Sequence, residues 1–223
     1  QCRVVSGSLM VNQSVSADID ATRRLAIRRH HTATHILHWS LRQVLGEHVK
    51  QAGSLVDDER LRFDFSHYDA VSEEELLRIE ELANSLTLSN EHVDSTESSK
   101  EEALAKGAIA FFGDKYGDSV RVVQVGGERG ALNGYSMELC GGTHTRSTGE
   151  IGLFRIVAES AIAAGVRRIE AVAGLAAYQL ANSEAARLKA LAGKVGAPVG
   201  ELERKVDALL AQNRDLEKAL HSA

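Results

Sequence analysis

His31 and His35 stand four residues apart in a stretch of helical spacing, so their imidazoles share one face, a turn apart. Far along the chain comes Cys140-Gly-Gly-Thr-His144, directly after a run that reads as a strand. Two glycines after a cysteine permit a sharp turn through φ values other residues avoid, which lets Cys140 and His144 converge. One thiolate and three imidazoles make a four-donor set that suits zinc, a borderline-soft ion with no redox demand. Either pair alone is a weak signal, because H-x3-H arises easily in a chain with nine histidines. Together, and with Cys140 the only cysteine besides Cys2, they define an expected Zn2+ site of His31, His35, Cys140 and His144. His38 lies on the same helical stripe, and spacing alone leaves it a rival to His31. A closed four-ligand shell is also the usual form of structural zinc. The H-x3-H pair is not a metalloprotease signature: Thr32 stands where the general-base glutamate would be needed.

The elements that must position these residues follow from pattern. A helix is expected from about Asp20 to Leu45, stopped by Gly46, with Ala26, Ala33, Leu37, Leu41 and Val44 on the face away from the histidines. The histidines are therefore not simply part of the apolar stripe. Gly53–Val56, an acidic turn at Asp57-Asp58 and the alternating run Arg60–Phe65 follow, the last reading as a half-buried strand. Ser72 and Glu75 form a capping box opening a helix to about Leu88. Glu91–Ser99 is a polar stretch leading to a short helix, and strands are expected at Val120–Val125, Tyr135–Leu139, Gly152–Glu159 and Val166–Val172. Several strands interrupted by long helices imply an α+β sandwich with an antiparallel sheet and packed helices.

The two ends read differently. Residues 3–20 suggest two strands, built on Val4, Val5, Leu9, Val11, Val15 and Ile19, as the remnant of a larger β-unit. From Leu175 the composition turns to Ala, Leu, Glu and Lys, and Pro198 divides two helices. In the second, Val199, Leu202, Val206, Leu209, Asn213, Leu216 and Leu220 form a heptad seam, expected to pack on its neighbour as a helical hairpin in preference to zipping to a second chain. The expected division is 1–20, 21–173 and 174–223.

Composition bounds the partners. The chain has 26 Lys plus Arg against 31 Asp plus Glu, a net charge of −5, so it is not a wholesale nucleic-acid binder and must meet any polyanion through a local patch. Arg23, Arg24, Arg28 and Arg29 supply such a cluster. No run approaches the roughly 20 apolar residues of a membrane span, no signal pattern opens the chain, and two cysteines fit a reducing cytosol. Gln1 is not an initiator methionine, which suggests an excised fragment.

The runs H-T-A-T-H-I-L-H at 31–38, Q-A-G-S-L-V at 51–56, R-L-R-F-D-F-S-H at 60–67, F-F-G-D-K-Y-G-D at 111–118, S-M-E-L-C-G-G-T-H at 136–144 and G-V-R-R-I-E-A at 165–171 resemble alanyl-tRNA synthetase, in the same order from about residue 14 to 174. The stretch is similar to that family's editing domain, a fold shared with free-standing alanyl-editing proteins and related to the editing domain of threonyl-tRNA synthetase. C-G-G-T-H favours the alanyl branch. The resemblance implies hydrolysis of tRNA(Ala) wrongly charged with serine or glycine in the cytoplasm. It carries the family's zinc ligands onto His31, His35, Cys140 and His144, and an editing-associated glutamine onto Gln51. It implies as partners the acceptor end of tRNA(Ala) and the remainder of the synthetase, and neither a membrane nor DNA. The region that activates alanine with ATP has no counterpart here, and only the last piece of the preceding β-unit does. The terminal helices resemble the start of the region leading to a C-terminal tRNA-binding module. A free-standing trans-editing protein, or a zinc-stapled tRNA-binding module without activity, are the alternatives.

The need for such a site is physical. An alanine pocket cannot strongly exclude glycine, which is smaller, or serine, which adds one hydroxyl. Discrimination of that kind reaches only about 10–200-fold, a limit documented for aminoacyl-tRNA synthetases themselves. A second site that hydrogen-bonds the serine hydroxyl spares alanine; Thr32, Thr34 and Gln51 are the candidates for that contact. Arg24 and Arg28 are candidates for phosphate contacts, backbone N–H groups at Gly141 and Gly142 for the oxyanion, and Glu138, two before Cys140 on one strand face, for a proton acceptor or amine partner. As a lone strand glutamate, Glu138 is equally a solvated charge.

Overall fold

The computed structural model describes residues 3–110 and 117–222. The long helix α1, Ala21–Leu45, begins where the Asp20 side chain accepts from the Arg23 N–H and ends at Gly46, whose φ of 114° only glycine adopts readily. Its middle is buried on both sides. Ala33, Ile36, Leu37 and Leu41 face one core, while Thr32, His35 and His38 are equally buried on the other side. A helix buried all round must lie between two layers.

The first layer is an antiparallel sheet in the order β1-β2-β7-β6, from β1 (Gln51–Val56), β2 (Leu61–Ser66), β6 (Phe154–Ala163) and β7 (Val166–Ala173). β2 is more deeply buried than its alternating sequence suggests, because β1 and β7 flank it. Phe63 and Phe65 are fully buried, and Asp64 between them takes a two-pronged bond from Arg168 at 2.7 and 2.9 Å. α2, Glu73–Leu88, opens on the expected capping box and packs with α1 against this sheet, placing Ile79 and Ala83 in the main core.

The second layer is an antiparallel sheet in the order β3-β4-β5, from β3 (Val93–Ser99), β4 (Ser119–Val125) and β5 (Ser136–Leu139). With α3, Lys100–Ala105, it closes a smaller core of Ala103, Ala108, Val120, Val122, Leu132 and Leu139. β3 corrects the reading of Glu91–Ser99 as merely a polar stretch. Among the described residues it is an edge strand whose ladder partner is β4, so ladder hydrogen bonds hold it and hydrophobic alternation is not required. The expected α+β sandwich of antiparallel sheets and packed helices is what the chain forms.

Residues 3–20 form no strand, contrary to expectation. Val5 and Val11 are 88% and 93% exposed, and with no sheet edge beside them their alternation has nothing to pair with. The two terminal helices are present, α4 (Leu175–Val195) and α5 (Leu202–His221), divided at Pro198 as the sequence indicates. The seam of α5 does not pack on α4, however. No residue of α5 is buried, and Leu188 and Leu191 of α4 are as open as Leu209 and Leu216 of α5, so the two apolar rows do not interlock. No helix among the described residues is long and apolar enough to cross a membrane.

Candidate metal centre

α1 projects His31 and His35 toward the second layer, and the loop leaving β5 returns Cys140 and His144 to meet them. One donor atom from each of the four lies within 4.8 Å of the others. Cys140 Sγ is 3.4 Å from His31 Nε2 and 3.4 Å from His144 Nε2. A tetrahedral zinc with sulfur at 2.3 Å and nitrogen at 2.0–2.1 Å has ligand–ligand edges of about 3.3–3.6 Å. These two separations fit that size, so the four residues can hold one metal ion. His38, the rival on spacing, falls outside the group: its Nδ1 lies 2.7 Å from Glu138 Oε1 and its ring packs against Phe63.

Glu138 is a bridging carboxylate. It is 3% exposed, which excludes the solvated reading, and its second oxygen lies 2.7 Å from His35 Nδ1. Burial opposes its ionisation, but the charge of His35 and the hydrogen bonds of His35 and His38 outweigh it and hold the carboxyl at about 2. Burial would lower His35, but the charge of Glu138, the hydrogen bonds to Cys140 and Glu138 and the charge of Cys140 outweigh it and raise the imidazole to about 10. A carboxylate on Nδ1 fixes the proton there and leaves Nε2 as the donor toward a metal. For Cys140, burial resists the thiolate, and hydrogen bonds from His144, His31 and His35 outweigh it, bringing the thiol down to about 3. Burial first, and then the neighbouring histidines, press His144 down to about 4, against its hydrogen bond to the Cys140 thiolate, so it stays a neutral imidazole at neutral pH. Thiolate and neutral imidazole are the forms a metal binds, so an ion would take the place of the second proton that His35 holds without it.

Both threonine hydroxyls proposed for substrate have other partners. Thr34 donates to the His30 carbonyl a turn back, and Thr32 accepts from the Thr145 N–H at 3.0 Å while lying 3.2 Å from His144 Nδ1. Thr32 thereby orients His144 as Glu138 orients His35. Gln51 opens β1 and lines a cavity of about 210 Å3 with His38, Arg42, Lys50 and Ile109. Arg24 is half-buried on α1, and Arg28 lines a different cavity beside His144. The glycines need a different explanation from the one the sequence suggested, because neither Gly141 nor Gly142 has a positive φ. A Cβ on Gly142 would sit 2.0 Å from His31 Cε1, whereas one on Gly141 would meet nothing within 4 Å. Gly142 is there so that a ligand ring can lie on the backbone. Arg121 braces the turn, donating to the carbonyls of Gly142 at 2.6 Å and Cys140 at 3.2 Å. Nothing in the sequence marked Arg121 for this task.

Residues 120–170, the half of the site that carries Cys140 and His144, match the family described as "Threonyl and Alanyl tRNA synthetase second additional domain". Over 99% of its length the chain is 48% identical to an alanine–tRNA ligase of Chelativorans sp.. It is 49% identical over its full length to one from Rhizobium johnstonii, and 47% identical over 99% to one from Desulforamulus reducens. These matches support an alanyl-tRNA synthetase editing domain. It spans about a quarter of the length of the curated relatives it matches. The matched length takes in both halves of the metal centre, α1 as well as the loop after β5. Of the motifs carrying the resemblance, residues 111–116 lie outside the described residues.

Glu138→Gln keeps the shape of the side chain and removes its charge. An amide must present its NH2 to one histidine, so it cannot accept from both rings. We expect metal affinity to fall about 10–100-fold, the usual cost of losing an outer carboxylate on a ligating histidine. Competition with a chromophoric chelator measures it, and unchanged affinity would remove Glu138 from the centre's design.

Proposed function

We propose that this chain is a hydrolytic editing module that deacylates tRNA(Ala) mischarged with serine or glycine, with Zn2+ held by His31, His35, Cys140 and His144. The observation carrying this reading is the four-donor cluster itself, one of whose members, His144, lines a cavity, in a chain similar to alanine–tRNA ligases over nearly its whole length. The alanine–tRNA ligase relatives support tRNA(Ala) as substrate and the rest of a synthetase as partner, and this reading places the chain in the cytoplasm, where tRNA is charged. Residues 21–173 are the editing unit in this reading, with 1–20 a remnant of the preceding β-unit and 174–223 leading toward a tRNA-binding module.

Zinc, when bound there, supplies Lewis-acid polarisation and a fixed charge to orient the aminoacyl group. The protein's own residues do the rest. Gln51, in the cavity it shares with His38, takes the serine hydroxyl, since Thr32 and Thr34 are engaged elsewhere. Alanine in that place leaves the amide unpaired, which separates it from serine as the first pocket cannot; glycine has no hydroxyl and gains nothing from this contact. The exposed turn at Gly141 offers backbone N–H to the oxygen that gains charge as the ester is attacked. Glu138, committed to two histidines, holds His35 in place and is not the proton acceptor.

The test is deacylation of seryl-, glycyl- and alanyl-tRNA(Ala) with and without chelator. We expect the first two to be hydrolysed and the third spared, with activity lost on chelation and restored by zinc. A closed four-ligand shell also favours a second reading, a zinc-stapled tRNA-binding module. That reading predicts salt-sensitive tRNA binding without deacylation at any protein concentration.

A further inference from the structure

On the side of His144 away from Glu138 lies a cavity of about 200 Å3 whose charged lining consists of Arg28, Arg121, Arg146 and Asp94. Three cations against one anion is an unusual local balance in a chain of net charge −5. They come from separate elements: Arg28 a turn before His31 on α1, Arg121 on β4, and Arg146 two residues beyond His144. A solvated helix face has no such convergence. Arg121 already spends Nη1 on the carbonyls of Cys140 and Gly142. Arg28 Nε, by contrast, is buried with no hydrogen-bond partner. Asp94 Oδ1 accepts from Arg129 at 3.4 Å, and Oδ2 pairs with His92 at 3.5 Å, beyond good hydrogen-bond geometry. Arg28 therefore brings to the cavity lining a buried N–H without a hydrogen bond, a group native proteins rarely leave unsatisfied, and Asp94 brings a carboxylate oxygen engaged only in a long ion pair with His92.

We propose that this cavity takes one ribose–phosphate unit of an RNA strand, its phosphate on Arg28 and Arg146 and its ribose 2′-hydroxyl on Asp94. The inference rests on the editing reading, because Gly142 and His144 line the same cavity and the unit then lies next to the aminoacylated nucleotide at the metal. Guanidinium groups match phosphate oxygens in geometry and keep their charge at any physiological pH. A carboxylate accepts and does not donate, and it repels phosphate, so its place in this lining calls for a hydroxyl. The 2′-hydroxyl is the group by which a protein distinguishes RNA from DNA at a given position.

The experiment uses the zinc-loaded full chain, with metal stoichiometry confirming that each variant is folded at the site. Uncharged tRNA(Ala) and acceptor-stem RNAs carrying a single 2′-deoxy substitution near the 3′ end are titrated over a range of salt. Arg146→Ala should weaken binding about tenfold and reduce the salt slope by about one, the signature of a lost phosphate contact. In the wild type, one 2′-deoxy position should weaken binding about tenfold, the order expected for a hydrogen bond to a charged group, and Asp94→Ala should abolish that preference. An unchanged salt slope in Arg146→Ala, or a deoxy effect that persists in Asp94→Ala, overturns the proposal. Wild-type deacylation of seryl-tRNA is measured in parallel. Absent deacylation with both binding effects intact sinks the editing reading and keeps the cavity, and the reverse result sinks the cavity alone.

Discussion

Cys140→Ala should lose the metal and cut seryl-tRNA deacylation by about 100-fold or more while leaving most of the fold intact. The thiolate is the only anionic donor in the group, 3.4 Å from two of its three imidazole partners, and three neutral histidines hold an ion far less tightly. An outer-shell change already costs 10–100-fold in affinity or activity, so removing the anionic ligand itself should exceed that range. The main core does not depend on Cys140. Phe63, Phe65, Ile79 and Ile169 are buried among α1, α2 and the four-stranded sheet. Zinc stoichiometry, thermal unfolding and single-turnover deacylation on one preparation separate the outcomes. Retained folding with lost activity supports the editing reading, collapse of the whole fold makes the ion a structural staple, and retained activity defeats the reading.

The second large effect is expected from one methyl group. Gly142→Ala places a Cβ 2.0 Å from Cε1 and 2.5 Å from Nδ1 of His31, distances real contacts do not reach. The obstacle is a metal ligand, not the free end of a flexible chain, so relief means moving either the imidazole or the turn that Arg121 braces. Metal affinity should fall by about 100-fold, and activity with it, by the same reasoning that applies to a misaligned ligand. Gly141→Ala is the matched control. It meets open space, is exposed, and should change stability by no more than about 0.5 kcal/mol. Neither glycine has positive φ, so the contrast isolates contact from backbone strain. Isothermal titration of zinc into the two metal-free variants reads it directly, and equal affinities would show that His31 has room to move.

Much of this arrangement was legible from spacing because the signals were local. The helix start near Asp20, the stop at Gly46 and the Ser72–Glu75 box are each set within one turn, and each holds. What sequence reading missed depends on neighbours across the fold. β3 is written in Asp94, Ser95, Thr96, Glu97 and Ser98, residues that no periodicity marks as a strand, and only the ladder to β4 makes it one. The valines of residues 3–20 alternate as strands do, yet without a partner they stay in solvent. Spacing could not choose between His31 and His38, since both share a stripe with His35. The choice was made by Glu138, which draws His38 away from the group of four. The glycine pair was noticed for conformational freedom and turned out to matter for closeness. The hydroxyls of Thr32 and Thr34 looked available only because their partners, Thr145 and the His30 carbonyl, are fixed by three-dimensional placement.

Trp39, the sole tryptophan of the chain, follows His38 on α1, and its ring lies 6.1 Å from that of Tyr135 on the second layer. Both line a cavity with Glu138, whose carboxylate holds two histidine rings in place. The protein thus carries an intrinsic fluorophore at the junction of its two layers, with an energy-transfer donor built in beside it. Any loosening of one layer from the other, whether by chelation, heat or substitution, changes that single emission without a label having been attached.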